Sequence, residues 1–286
     1  MIPAQFDYVA PRSVAEAVTA LQEAGEDAKI LAGGQSFIPV LRLRLAYPET
    51  VIDLGRIPEL RGVREEGDEL VLGAMTRHDD VVKDPLVRQH ARLLSAATET
   101  VADPAVRHRG TLGGAIAHAD PAGDLGAVAL ALDATLVAEG PGGRRSIRAD
   151  EFFLDYLETA LSPDEILVEV RVPKHTGWGA RYEKFNRVAQ AWSIVAVAAC
   201  VRVDGGVIAD ARIGLTNMGN TPLRARGVEE ALRGAPVEAG AIQQAAARAA
   251  EGTNPPSDLN AKPDYREHLV TVLTRRAVAA AAGLSG

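Results

Sequence analysis

Two glycine pairs constrain this chain more than any other feature. Gly33-Gly34 stands in Leu31-Ala32-Gly33-Gly34-Gln35-Ser36, and Gly113-Gly114 in Arg109-Gly110-Thr111-Leu112-Gly113-Gly114. Without a Cβ, glycine reaches φ > 0 and lets a backbone approach a ligand closely. Successive N–H groups in such a turn can converge on one anion. Each pair alone is also compatible with an ordinary tight turn. Together they point to two backbone cradles closing on one long, phosphate-bearing ligand. No G-x-G-x-x-G opens a βαβ unit, and no Gly-Lys-Ser/Thr follows either pair, so the common dinucleotide and P-loop frameworks are disfavoured.

The chain has 286 residues, a length that suggests about two domains. Its net charge of −7, with arginines scattered among acids, argues against nucleic acid as the main partner. Cys200 is the single cysteine, so this chain alone holds neither an intrachain disulfide nor an iron–sulfur cluster. Within Val195–Arg202 it reads as a small buried hydrophobe. No secretory signal and no apolar run near the ~20 residues of a membrane span are visible, so a cytoplasmic protein is expected. The six histidines form no zinc spacing, no metal site is expected, and nothing marks a serine nucleophile.

Hydrophobic periodicity outlines the elements. Val14, Ala17, Val18 and Leu21 share one helical face, with Ser13 and Glu16 as a capping box and Gly25 as the stop. Strands are expected at Lys29–Ala32, Thr50–Leu54, Glu69–Ala74 and Glu165–Val172, and helices at Ile38–Leu45, Asp84–Thr100 and Asp124–Leu132. Thr76 with Asp79 marks a further helix start. Pro141-Gly142-Gly143 and Asp204-Gly205-Gly206 are hairpin turns. Lys174–Gly179 is the best linker, and helices follow at about 222–232, 238–251 and 264–282.

Several residues carry more than one reading. Asp120, before Pro121, is a turn residue or a ligand contact, and His118 lines a pocket or lies on the surface. Asp124 is a helix N-cap or a partner for cofactor hydroxyls. Trp192 packs in the core or lies flat on an aromatic cofactor, and Lys184 is solvated or ligand-facing.

Leu31–Pro39, Arg109–Gly114, Ala119-Asp-Pro-Ala-Gly-Asp124, Glu165-Ile-Leu167 and Thr216-Asn-Met-Gly-Asn-Thr-Pro-Leu-Arg224 resemble the FAD-binding subunits of molybdenum hydroxylases, the xanthine dehydrogenase family with the PCMH-type FAD fold. Met1–Tyr8, Gly25–Ala28, Arg64–Gly67 and Gly73–Thr76 carry a narrower likeness to medium subunits of aerobic carbon-monoxide dehydrogenases. Sister subunits for nicotine, purines and aldehydes share much of it.

The resemblance implies an α+β fold. It places a two-lobed FAD-binding domain at 1–176 (lobes about 1–56 and 57–176). A C-terminal domain at 177–286 would carry a three-stranded antiparallel sheet and a helical bundle. It implies that Ala32, Gly33, Gly34, Gln35 and Ser36, with Thr111, Gly113 and Gly114, hold the FAD diphosphate. Asp124 would bind hydroxyls of the FAD chain. Leu167 and Lys184 would touch the cofactor, Lys184 favouring the anionic reduced flavin, and Trp192 would cover the ring. No residue here is expected to be catalytic. Molybdopterin and two [2Fe–2S] clusters would sit in a large and a small partner subunit. The assembly would be a dimer of heterotrimers, cytoplasmic or held at the inner membrane face through the complex. Electrons would pass from the clusters through FAD to a quinone or other acceptor. A standalone FAD oxidoreductase, or an assembly module without flavin, is the competing possibility. Gln35 departs from a frequent histidine, Ala115 from a frequent asparagine, and Gln190-Ala191 from the usual Gly-Asp.

Overall fold

The computed structural model describes residues 2–284. Its first lobe contains β1 (Asp7–Val9), α1 (Val14–Ala24), β2 (Ala28–Leu31), α2 (Phe37–Arg42) and β3 (Thr50–Asp53). The strands are parallel, in the order β1-β3-β2. Helix α1 forms as its pattern predicts. The Ser13 hydroxyl accepts the Glu16 N–H at 3.2 Å, Glu16 accepts the Arg12 N–H at 2.7 Å, and Gly25 ends the helix at φ +68°. Its apolar face joins Ile52 and Leu54 in a core that continues into Val137, Ile166 and Val168 of the second lobe. Strand β1 has no buried face to reveal it in the sequence. Helix α2 ends at Arg42, short of the expected Leu45, and Arg44 turns to φ +57°.

The second lobe follows as β4 (Val63–Glu66), β5 (Glu69–Gly73), α3 (His78–Lys83), α4 (Pro85–His90), α5 (Arg92–Glu99), α6 (Pro104–Arg107), α7 (Leu112–His118) and α8 (Asp124–Ala131). Then come β6 (Thr135–Gly140), β7 (Gly143–Arg148), α9 (Ala149–Phe152), β8 (Phe153–Asp155), β9 (Glu158–Thr159) and β10 (Ile166–Pro173). Its main sheet is antiparallel, ordered β4-β5-β10-β6-β7. The Pro141-Gly142 turn closes on paired Gly140 and Gly143, as expected. The helix expected over Asp84–Thr100 breaks at Ala91 (φ −136°, ψ 50°). There the His90 carbonyl accepts the His175 N–H at 2.7 Å and leaves the helical ladder. Thr76 caps nothing, because its hydroxyl is bonded to both N–H and C=O of Gly62; Arg77 occupies the N-cap of α3.

The third region holds β11 (Gly179–Phe185), β12 (Val195–Asp204), β13 (Val207–Thr216), β14 (Leu223–Arg224), α10 (Arg226–Leu232), α11 (Ala239–Ala246) and α12 (Pro263–Ala281). The three long strands are antiparallel, and two-residue β14 adds an edge where a helix was expected from Pro222. Strand β12 is buried on both faces. Ala196, Ala198 and Cys200 pack into the second lobe's core, while Val195, Val197, Ala199 and Val201 pack under the helices. The period-2 alternation thus sends Ala196, Ala198 and Cys200 to the interface and three valines with Ala199 to the helical core. Burial pushes the Cys200 thiol up to about 12, so it is inert packing. The 174–178 connection is pinned: Lys174 donates to the Gly67 carbonyl at 2.7 Å, and His175 meets Trp178 edge-on at 4.9 Å. Among the described residues no helix is long and apolar enough to cross a membrane.

Candidate functional site

Strand β2 delivers the first glycine pair to a cleft of about 630 Å³, within the ~300–1,000 Å³ of small-molecule and cofactor sites. Gly34 takes φ +76° and turns the chain into α2. Among the described residues, none of the backbone N–H groups of Gly33, Gly34, Gln35 and Ser36 donates a hydrogen bond. A short turn of free amides is a nest for an anion. Gly33 is glycine for a different reason. A Cβ there would run into the Arg109 carbonyl oxygen and lie 2.7 Å from Gly110 Cα. The first turn therefore leans directly on the second segment's backbone.

The second pair is not a loop. Thr111 caps α7, and both glycines lie in its first turn. Their amides are already used: Gly113 N–H donates to Ala74 O at 2.8 Å and Gly114 N–H to Thr111 Oγ1 at 3.2 Å. Neither glycine amide of the second pair is unbonded, unlike those of the first. The missing side chains serve packing. A Cβ on Gly113 would lie 2.8 Å from Ala74 Cα, and one on Gly114 would lie 3.0 Å from Ala32 Cβ. The two pairs thus converge, one supplying free donors and the other an abutment.

Deeper in the cleft, Asp124 is the first residue of α8, with Gly123 at the cap position. Its carboxylate is instead the centre of a buried network. Oδ1 accepts from Tyr182 OH and Ser193 Oγ, each at 2.7 Å, and Oδ2 accepts from Lys184 Nζ at 2.8 Å. A carboxylate offers about four acceptor sites, so about one remains for a ligand hydroxyl. The Lys184 and Asp124 side chains are only 6% and 5% exposed. Lys184 is therefore neither solvated nor a free cation. Its charge is matched by Asp124. Burial and the Asp124 charge hold the Tyr182 hydroxyl far above its ordinary range, so it remains a donor.

Trp192 is 52% exposed at the cleft mouth, which excludes core packing. Its ring sits 6.3 Å from that of His118. The segment bearing it is tied across the mouth by Gln190 donating to Asp103. Asp120 makes the turn, accepting the Ala122 N–H at 2.9 Å. Leu167 is mostly core and shows one edge to the cleft. Gln35 Nε2 lies 3.4 Å from Gly33 O.

Every sequence-predicted site residue, from Ala32 to Trp192, lines this cleft. Sequence reasoning missed His78, which also lines it and whose buried Nδ1 has no partner. Burial, then Arg107, lowers its pKa to about 4, so the ring is neutral near pH 7. Its one signal was a position just after strand β5, opposite Gly110. Tyr182 and Ser193 were missed too, because only the fold brings them to Asp124. Free amides, a glycine-lined approach and an orphan imidazole nitrogen fit a long polar cofactor carrying phosphate.

Residues 4–175 match the family described as FAD binding domain in molybdopterin dehydrogenase. The chain belongs to that family. Residues 180–281 match the CO dehydrogenase flavoprotein C-terminal domain. The chain is similar over 98% of its length to 98% of the carbon monoxide dehydrogenase medium chain of Hydrogenophaga pseudoflava, at 44% identity. It is 35% identical to the 6-hydroxypseudooxynicotine dehydrogenase complex subunit alpha of Paenarthrobacter nicotinovorans, covering 98% of this chain and 96% of the other. A solved carbon monoxide dehydrogenase from Hydrogenophaga pseudoflava, lacking the Mo-pyranopterin moiety of its cofactor, matches over all of both chains with a TM-score of 0.96 and 44% identity. The mixed helix-and-strand fold and the oxidoreductase class expected from the sequence stand.

Proposed function

We propose that this chain is the FAD-carrying medium subunit of a heterotrimeric molybdenum hydroxylase whose assembled complex oxidises carbon monoxide. A large molybdopterin subunit and a small subunit with two [2Fe–2S] clusters complete each heterotrimer, and two heterotrimers pair in the cytoplasm. Residues 1–176 form the FAD-binding unit and 177–286 the C-terminal unit; the matches at 4–175 and 180–281 support the division. When bound, FAD supplies one- and two-electron chemistry linking the clusters to a quinone or other acceptor.

The protein's part is position and polarity. The free amides of Gly33–Ser36 hold the diphosphate, and α7 with Thr111, Gly113 and Gly114 braces that turn. Asp124 offers its remaining lone pair to a chain hydroxyl, while Lys184 holds the carboxylate in place. His78 accepts or donates one hydrogen bond as a neutral ring. Leu167 and the apolar wall exclude water, and Trp192 closes the mouth.

The observation that carries this proposal is the run of unpaired amides at 33–36 opening into the cleft that also holds Asp124, Lys184 and Trp192. The test is to purify the complex, measure flavin per chain, and follow acceptor reduction with carbon monoxide. One flavin per chain and carbon-monoxide-dependent turnover are expected. Turnover with a nicotine-type heterocycle and none with carbon monoxide would move the chain to the sister group.

A further inference from the structure

The run Thr216–Arg224 has no place in the cleft, since neither Asn217, Pro222 nor Arg224 lines it. It nevertheless grips helix α8, which begins at Asp124, along its whole length. At the front, the Asn217 N–H donates to Pro121 O at 2.8 Å, in the turn leading into the helix. In the middle, Pro222 sits against Gly126, where a Cβ would lie 3.0 Å from Pro222 Cγ. At the back, Arg224 donates to Leu130 O at 3.2 Å and to Asp133 at 2.5 Å.

Asn217 has a second attachment. Its side-chain amide donates to Ser193 O at 2.7 Å and to Ile194 O at 3.2 Å, immediately behind Trp192. Ser193 in turn donates its hydroxyl to Asp124 and its N–H to Ala122 O at 3.4 Å. The 121–124 turn and the 192–194 segment are thus fastened to each other directly by Ser193 and a second time through Asn217. Arg266, fully buried, donates to the same Ile194 carbonyl from α12 and is anchored on Asp258 at 2.8 Å. Asn217 adopts φ +62°, a conformation asparagine tolerates better than most residues.

We propose that Asn217 is a positioning residue for the flavin site. One N–H on the Pro121 turn and one amide on the Ser193–Ile194 backbone fix where Asp124 stands relative to Trp192. The proposal rests on the cleft being the FAD site. It concerns no atom that touches the cofactor.

Asn217→Gly keeps the backbone conformation and the N–H but removes the amide. Asn217→Asp keeps the shape and turns an acceptor toward two carbonyl oxygens. Both are compared with the parent protein in a Trp178→Phe background, so that Trp192 is the only indole. The readouts are Trp192 emission and acrylamide quenching in the deflavinated chain, and the FAD dissociation constant. Asn217→Gly should raise Trp192 quenching and weaken FAD by about tenfold, the size expected from two lost hydrogen bonds. Asn217→Asp should do more, or fail to fold, in which case Asn217→Gly decides. Arg224→Lys, at the far end of α8, should lower Tm and leave Trp192 emission unmoved. If Asn217→Gly lowers Tm but leaves Trp192 quenching and FAD affinity within twofold of the parent, the residue is merely structural and the proposal is overturned. If the parent chain binds no FAD, the cleft assignment fails, and Trp192 quenching still decides the role of Asn217.

Discussion

Gly33→Ala is the sharpest perturbation of the site, because two explanations of that glycine predict different things. If the glycine exists only to admit a diphosphate, a methyl group harms the FAD complex and leaves the deflavinated chain untouched. The packing says otherwise. The new Cβ would lie 2.7 Å from Gly110 Cα and closer still to Arg109 O. Carbon atoms prefer about 3.5 Å or more, so the two segments must part by roughly 0.8 Å. Both obstacles are backbone, and Gly110 is itself hemmed in by the His78 ring, 2.7 Å from where its own Cβ would be. Overpacking of this kind costs about 1–3 kcal/mol, which lowers Tm by roughly 2–10 °C in a unit of this size. Thermal unfolding of deflavinated Gly33→Ala, beside a Gly142→Ala control in open space, measures it. A fall in Tm with a further loss of FAD affinity is expected. An unchanged Tm in the deflavinated protein would refute the turn-on-turn contact as the reason for this glycine.

Other consequences follow from the same geometry. Asp124→Asn or Lys184→Met alone leaves a buried charge unpaired and should cost about 3–5 kcal/mol in urea unfolding. His78 is held neutral, with its pKa lowered to about 4 by burial. The unfolded chain therefore takes up that proton first, and stability is lost as pH falls from 6.5 toward 4. The loss reaches about 2 kcal/mol by pH 5, and Asn or Gln at position 78 should remove that part of the slope. Trp192→Ala removes a half-exposed ring and should change unfolding free energy by no more than about 0.5 kcal/mol, while flavin fluorescence or potential shifts. An unchanged flavin signal would take Trp192 out of the site.

Local signals carried most of the fold into view. The Ser13–Glu16 capping box, the Pro141-Gly142 turn and the Gly205-Gly206 turn each depend on neighbours in sequence, so periodicity and turn chemistry expose them. Strand β1 and strand β14 depend on partners far away, Val51 and Leu215 among them, and show no burial pattern of their own. The break at Ala91 comes from the His175 amide, remote in sequence. At the site, the glycine motifs led to residues that line one cleft, but not to which of their amides are bonded. Whether an amide is free or already bonded is decided by Ala74 and Thr111, not by the motif. For the same reason Asp124 could be placed near a ligand, while the three donors from Tyr182, Ser193 and Lys184 that occupy most of its carboxylate could not be seen.

The most direct measurement is a crystal structure of the chain with FAD bound. The account predicts diphosphate oxygens within hydrogen-bonding distance of the amides of Gly33–Ser36, with Trp192 at the ring. A diphosphate seated elsewhere, with those amides still open to water, would contradict it.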